Sequence, residues 1–211
     1  MKYSFAVSAS LALAGFTSAI PLAARDAPQA SDIIAQIAPT STSCADTTEC
    51  RTNVQVAPFF IDAFWKYGLK SYGQIAAVLS LTAFESVGYK FKHNVSPGVA
   101  GQGTSNLQML KYNIEYANSI PELKDQVAAL GTIDATDSAK ANQLLALVTP
   151  DQYNFGSGPW FLTTQCDPKV AEALISGTDE AFAGYMACVG VQVTPDRKEY
   201  WVRAKAAFGL K

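Results

Sequence analysis

The 211-residue chain has one histidine, His93, and four cysteines, none of them in a Cys-x-x-Cys pair. Those shortages leave little from which to build an imidazole–thiolate metal site, so neither a metal nor a cofactor is expected. Charge is scarce as well: Asp, Glu, Lys and Arg make up 16% of residues, and the net charge is −2. Such a chain lacks the basic footprint that holds nucleic acid or an anionic membrane surface, and neither is expected as a partner. No run reaches the ~20 apolar residues of a membrane-spanning helix. Strand signals are few, with residues 189–193 the one short β-branched stretch.

What is abundant is apolar side chain, at 49% of the sequence, enough for a sizeable core in one domain. At the N-terminus Lys2 precedes an apolar, small-residue run over 5–16. Thr17-Ser18-Ala19 then offers a cleavage site. Residues 1–19 thus read as a secretory signal peptide, which predicts a secreted, extracellular protein. Residues 20–43 are rich in Ala, Pro, Ser and Thr and read as a pro-segment or flexible leader, with Arg25 a processing point. Within it, 31–37 can form one or two helical turns outside the core. The even cysteine count in an exported chain predicts two disulfides, most economically Cys44–Cys50 and Cys166–Cys188.

Apolar residues recur at helical spacing over 54–67, 72–86, 104–118, 121–130, 138–148, 168–176, 178–188 and 195–208. Pro121, Pro168 and Pro195 fall at helix starts, where the missing N–H does little harm. Trp65 and Trp201 lie on such stretches and read as core. The fold class is mainly α, a single helical domain over 44–211.

Glu85 closes the apolar stretch 72–86 and faces a glycine- and amide-rich loop. Burial and the negative pole of the helix dipole both favour a protonated carboxyl there, which suits a general acid. No Asp or Glu occurs between Glu85 and Glu115, so a paired-carboxylate mechanism needs a remote partner, with Asp62 and Asp151 the candidates. Polar residues concentrate just beyond: His93, Asn94, Ser96, Gln102, Asn106, Gln108 and Tyr112. Residues 153–161 mix aromatic rings with glycines, and Tyr153 and Trp160 are placed to wall a cleft. Asn94-Val95-Ser96 is a glycosylation sequon, with Pro97 directly after it arguing against occupancy.

A helix ending in Glu85-Ser86, a loop over Ser96-Pro-Gly-Val-Ala-Gly101, and Leu107-Gln108 opening the next helix together resemble the lysozyme-like superfamily. Lytic transglycosylases and goose-type lysozymes are the nearest members. The resemblance covers roughly residues 72–113, and the loop departs from the pattern through extra glycines and an insertion at 102–106. It implies a lysozyme-like helical fold with a substrate cleft. It also implies a monomeric glycosidase cleaving β-1,4 links in an N-acetylhexosamine polysaccharide, either peptidoglycan or chitin-type. Glu85 would be the acid, and His93, Ser96, Gln102, Asn106, Gln108, Tyr112, Tyr153 and Trp160 would bind substrate. The substrate's own N-acetyl group would assist where the second carboxylate is missing. The rival class is a non-catalytic secreted protein on the same scaffold that binds carbohydrate or protein.

Overall fold

The structure is a computed structural model that describes residues 29–211. The signal-peptide stretch and Arg25 lie outside the described residues. Among the described residues eleven α-helices are joined by turns, 3₁₀ segments and a long loop between the third and fourth helices. They are α1 (Ala30–Ile37), α2 (Asn53–Lys66), α3 (Tyr72–Glu85), α4 (Leu110–Ser119), α5 (Lys124–Ala129), α6 (Ser138–Val148), α7 (Asp151–Asn154), α8 (Ser157–Thr164), α9 (Pro168–Ala173), α10 (Asp179–Cys188) and α11 (Pro195–Phe208). Among the described residues there is no strand, only isolated bridges pairing Gly103 with His93 and with Gln108. The stretch 189–193, the one strand signal, pairs with no other segment among the described residues.

Helix starts follow local chemistry. Thr52 with Gln55, and Ser71 with Gln74, form reciprocal capping boxes at α2 and α3. Thr178 and Thr194 accept from the first turns of α10 and α11.

Helix α3 organises the molecule. It is apolar on nearly every side, and its residues from Ala76 to Ala83 are all buried, which marks a helix enclosed by others. Its most extensive packing is against α11, and α1 packs on α11 and α2. Gly73 is needed at the α3 start, since an added Cβ would fall 2.0 Å from the Leu174 carbonyl oxygen. Beside α3, Trp201 of α11 stacks on Phe182 of α10 with ring centroids 4.5 Å apart. Asp179 fastens the same two helices by accepting from Trp201 Nε1 at 2.8 Å and from Lys205 and Lys198.

Two expectations are corrected here. Residues 30–37 are not peripheral: Ile34 and Ile37 are buried in the core, and Arg203 Nε of α11 donates to the Ile37 carbonyl at 2.8 Å, closing the end of α1. Trp65 is not core. It is 80% exposed and, with Val54, Pro58 and Ile61, forms an outward apolar stripe along α2. Both disulfides form as expected, Cys44–Cys50 and Cys166–Cys188, with Cα–Cα distances of 5.6 and 5.7 Å. The second ties the end of α8 to the end of α10.

Candidate functional site

Helix α3 ends at Glu85, and the chain turns sharply there. Ser86 Oγ donates to the Thr82 carbonyl at 2.6 Å and accepts from the Tyr89 amide at 2.8 Å, while the Gly88 amide returns to Ala83. Val87 and Tyr89 take left-handed backbone angles (φ 54° and 63°), and further along Thr104 and Leu107 do the same (64° and 49°). A non-glycine residue in this region costs ~1–2 kcal/mol, most for a β-branched side chain such as Val87 or Thr104. All four positions fall within residues 87–107.

A buried relay of amides and hydroxyls holds that stretch. Asn106 Oδ1 accepts from Thr104 Oγ1 and Ser157 Oγ, and its amide nitrogen donates to Gln108. Gln108 Nε2 donates to Asn113 Oδ1 at 2.7 Å, and Asn113 Nδ2 donates to the Gly101 carbonyl at 2.8 Å. Gln102 joins from the side, donating to the Leu107 carbonyl and accepting from Asn94. This explains why the helix expected over 104–118 begins only at Leu110: side-chain amides take the backbone and each other as partners in place of a helical turn. Asn94 itself is engaged by Gln102 and by the Gly98 amide.

Glu85 separates two hollows. One, of about 290 Å³, has walls from Val87, Phe91, His93, Val95 and Ser96. The other is a recess of about 90 Å³ walled by Leu81, Met109, Tyr112, Phe161 and Val191. Glu85 and Leu107 line both. Among the described residues Glu85 is the sole carboxylate on these walls. Its side chain is 12% exposed, and its Oε1 accepts from Arg197 Nη2 at 2.8 Å. The guanidinium lies 4.5 Å from the centre of the Phe84 ring, so α11 clamps the last turn of α3 by charge and by stacking.

The residues singled out from sequence divide accordingly. Glu85, His93, Ser96, Asn106, Gln108 and Tyr112 all line the hollows. The amides of Gln102, Asn106 and Gln108 nevertheless spend their hydrogen bonds within the protein, on the loop, on Asn113 of α4 and on Ser157 of α8, which corrects their role as grips on a sugar. His93 Nδ1 is 2.8 Å from Glu49 Oε2. Trp160 is 3% exposed and packs on Tyr116 in the core, and Tyr153 lines neither hollow, so neither walls the cleft. Residues 153–161, read as a glycine-rich aromatic stretch outside any helix, instead run from the end of α7 into α8. Asp62 lines a separate depression on α2, and Asp151 is paired with Arg51 Nε at 2.7 Å, so neither supplies a second carboxylate. The sequence reading missed Arg197, 112 residues from its partner, and Glu49. It also missed the apolar lining from Val87, Phe91, Leu107 and Met109. The one sequence-level signal for that lining was the recurrence of lone large apolar residues through a loop otherwise made of glycine and polar groups.

No protein-family model matches the chain, and no solved structure does. A curated protein of Fusarium oxysporum (strain Fo5176), described as a bifunctional dioxygenase (DOX)-epoxy alcohol synthase (EAS), is 47% identical over 157 residues. The match takes in 74% of this chain and 12% of that relative, so the chain spans about an eighth of the relative's length. This similarity overturns the lysozyme-like resemblance, and with it glycoside hydrolysis, muramidase activity and a polysaccharide partner. The geometry gives the physical reason. The proposed acid is clamped by a guanidinium, its supposed sugar-binding amides face one another, and no second carboxylate stands opposite. A helix-end Glu-Ser before a glycine-rich loop reflects turn chemistry here, not glycosidase descent.

Proposed function

We propose that the chain is a ligand-holding domain serving oxidative chemistry of the dioxygenase–epoxy alcohol synthase kind, and that its ligand is an unsaturated carbon chain lying in the groove divided by Glu85. The observation that carries this reading is the groove's chemical character. Val87, Phe91, Val95 and Met109 are exposed by 40–54% around its rim, while the nearby amides are turned inward. Exposed large apolar residues gathered at a concave site favour an apolar guest, each buried methylene contributing ~0.8 kcal/mol. An epoxide and an alcohol in one product both derive from an unsaturated carbon chain, so a mostly apolar molecule is what such chemistry handles.

Oxygen activation is not assigned to any described residue of this chain. Activating dioxygen takes a redox metal or an organic cofactor. Among the described residues no group of three or more His, Cys, Asp or Glu side chains is arranged to hold a metal. All four cysteines are in disulfides, and His93 faces Glu49. That donor set makes no metal centre of three or more side-chain ligands among the described residues. The two disulfides and the leader-like first nineteen residues favour an exported protein.

Calorimetric titration of the full chain with a long-chain polyunsaturated alcohol, below its micelle concentration, tests the reading. One saturable site is expected, weakened at least tenfold in a Val87→Asp/Phe91→Asp variant whose substitutions lie on exposed positions. Absence of saturable binding, or equal binding by the variant, would overturn it.

A further inference from the structure

We infer that Glu85 reads a hydroxyl or hydroperoxyl proton on the groove's ligand, so that the site selects an oxygenated chain by its O–H group. This deepens the proposed function and rests on it. Only one carboxylate oxygen of Glu85 is occupied: Oε1 takes the Arg197 hydrogen bond, and Oε2 accepts none from any described residue. Glu85 lines both hollows, and the remaining wall of the larger one is mostly apolar. A carboxylate paired with a guanidinium on one side is an acceptor on the other. It favours a ligand O–H, offers nothing to a ketone, ether or epoxide oxygen, and repels a second carboxylate.

The clamp fixes this acceptor in direction. Arg197 is held on the Phe84 ring, and its Nε is buried without a partner, so the guanidinium reaches Glu85 through one arm while the ring limits its rotation. Nearby, the left-handed Leu107 puts its side chain against both hollows. An alcohol group at Glu85 therefore leaves apolar chain on either side, one arm along Val87 and Phe91 and the other towards Leu81 and Phe161. For a molecule bearing both an alcohol and an epoxide, the alcohol is the end that docks, because the epoxide has no proton to give.

The test is a set of ligands sharing one carbon chain and differing only in the oxygen group: alcohol, ketone, methyl ether and carboxylic acid. Each is titrated into the full wild-type chain and into Glu85→Gln. A hydrogen bond to a charged acceptor predicts that wild type holds the alcohol about tenfold tighter than the ketone or ether, and tighter still than the acid. In Glu85→Gln, whose amide also donates, the alcohol-to-ketone ratio should fall to about one. Equal wild-type affinity for alcohol and ketone overturns the inference while leaving the apolar groove reading standing, and so does a preference for the acid. Failure of every member to bind overturns both. The wild-type series decides the matter even if Glu85→Gln does not fold.

Discussion

Helix α3 and the loop that follows it meet at Glu85 and are built on opposite terms. In α3, regular backbone and apolar burial agree: the helix is capped by Ser71 and Gln74 and enclosed along Ala76–Ala83. Across 86–108 the backbone repeatedly adopts angles its residues disfavour, and neutral side-chain hydrogen bonds hold it there. The pairing teaches where function sits. A rigid apolar rod supplies position, and a strained, polar-stapled loop supplies the shape around the charged end of the rod.

Substitutions that act on one region and spare the other break or sharpen this contrast. The largest effect belongs to the rod. Leu79→Ala removes a buried side chain and should cost ~2–5 kcal/mol in denaturant unfolding. A loss near zero would show α3 to be loosely packed. Next comes the staple: Asn113→Ala strands the Gly101 carbonyl and Gln108 and should cost ~1–3 kcal/mol. Limited proteolysis should then cut within 86–108 before any helix yields, and cleavage elsewhere first would deny the relay its role. A smaller change has the opposite sign. Val87→Gly relieves a left-handed β-branched residue that is 54% exposed, and should stabilise by up to ~1 kcal/mol while weakening ligand binding. Stability and affinity falling together would contradict the strain account.

The smallest effect is on pH dependence. Hydrogen bonds from Lys198, Lys205 and Trp201 hold the Asp179 carboxyl below its ordinary 3.8. Because the folded value is the depressed one, its contribution is present at neutral pH and fades as acid takes the solution below about pH 4. Asp179→Asn should flatten the acid limb of the unfolding curve, whereas Asn113→Ala should leave its slope alone, since the loop relay contains no titrating group. An unchanged acid limb in Asp179→Asn would remove that anchor.

These differences also explain what the sequence made legible. Helices α2, α3, α6, α10 and α11 announce themselves by period, cap and proline, and both disulfides follow from counting and proximity. Helix α8 did not, because Gly158 and Pro159 look like a turn. In the fold Gly158 is an approach site, where a Cβ would come within 2.9 Å of Thr82, and Pro159 occupies the first helical turn, where no N–H is needed. Helix α1 was hidden in a leader-like composition, and its burial depends on α11, some 160 residues away. At the site, Glu85 stood out through its place at the end of α3. Its partner Arg197 had no local signature, and the inward turn of Asn106 and Gln108 depends on Ser157 and Asn113 meeting them in space.

The central claim, that the groove at Glu85 is where an apolar oxygenated chain binds, is tested most directly by methyl NMR of the full chain during titration with a long-chain unsaturated alcohol. Shifts should gather at Leu81, Val87, Leu107 and Val191, saturating together. Shifts confined to Val54 and Ile61 on the exposed face of α2, with the groove methyls unmoved, would contradict the account.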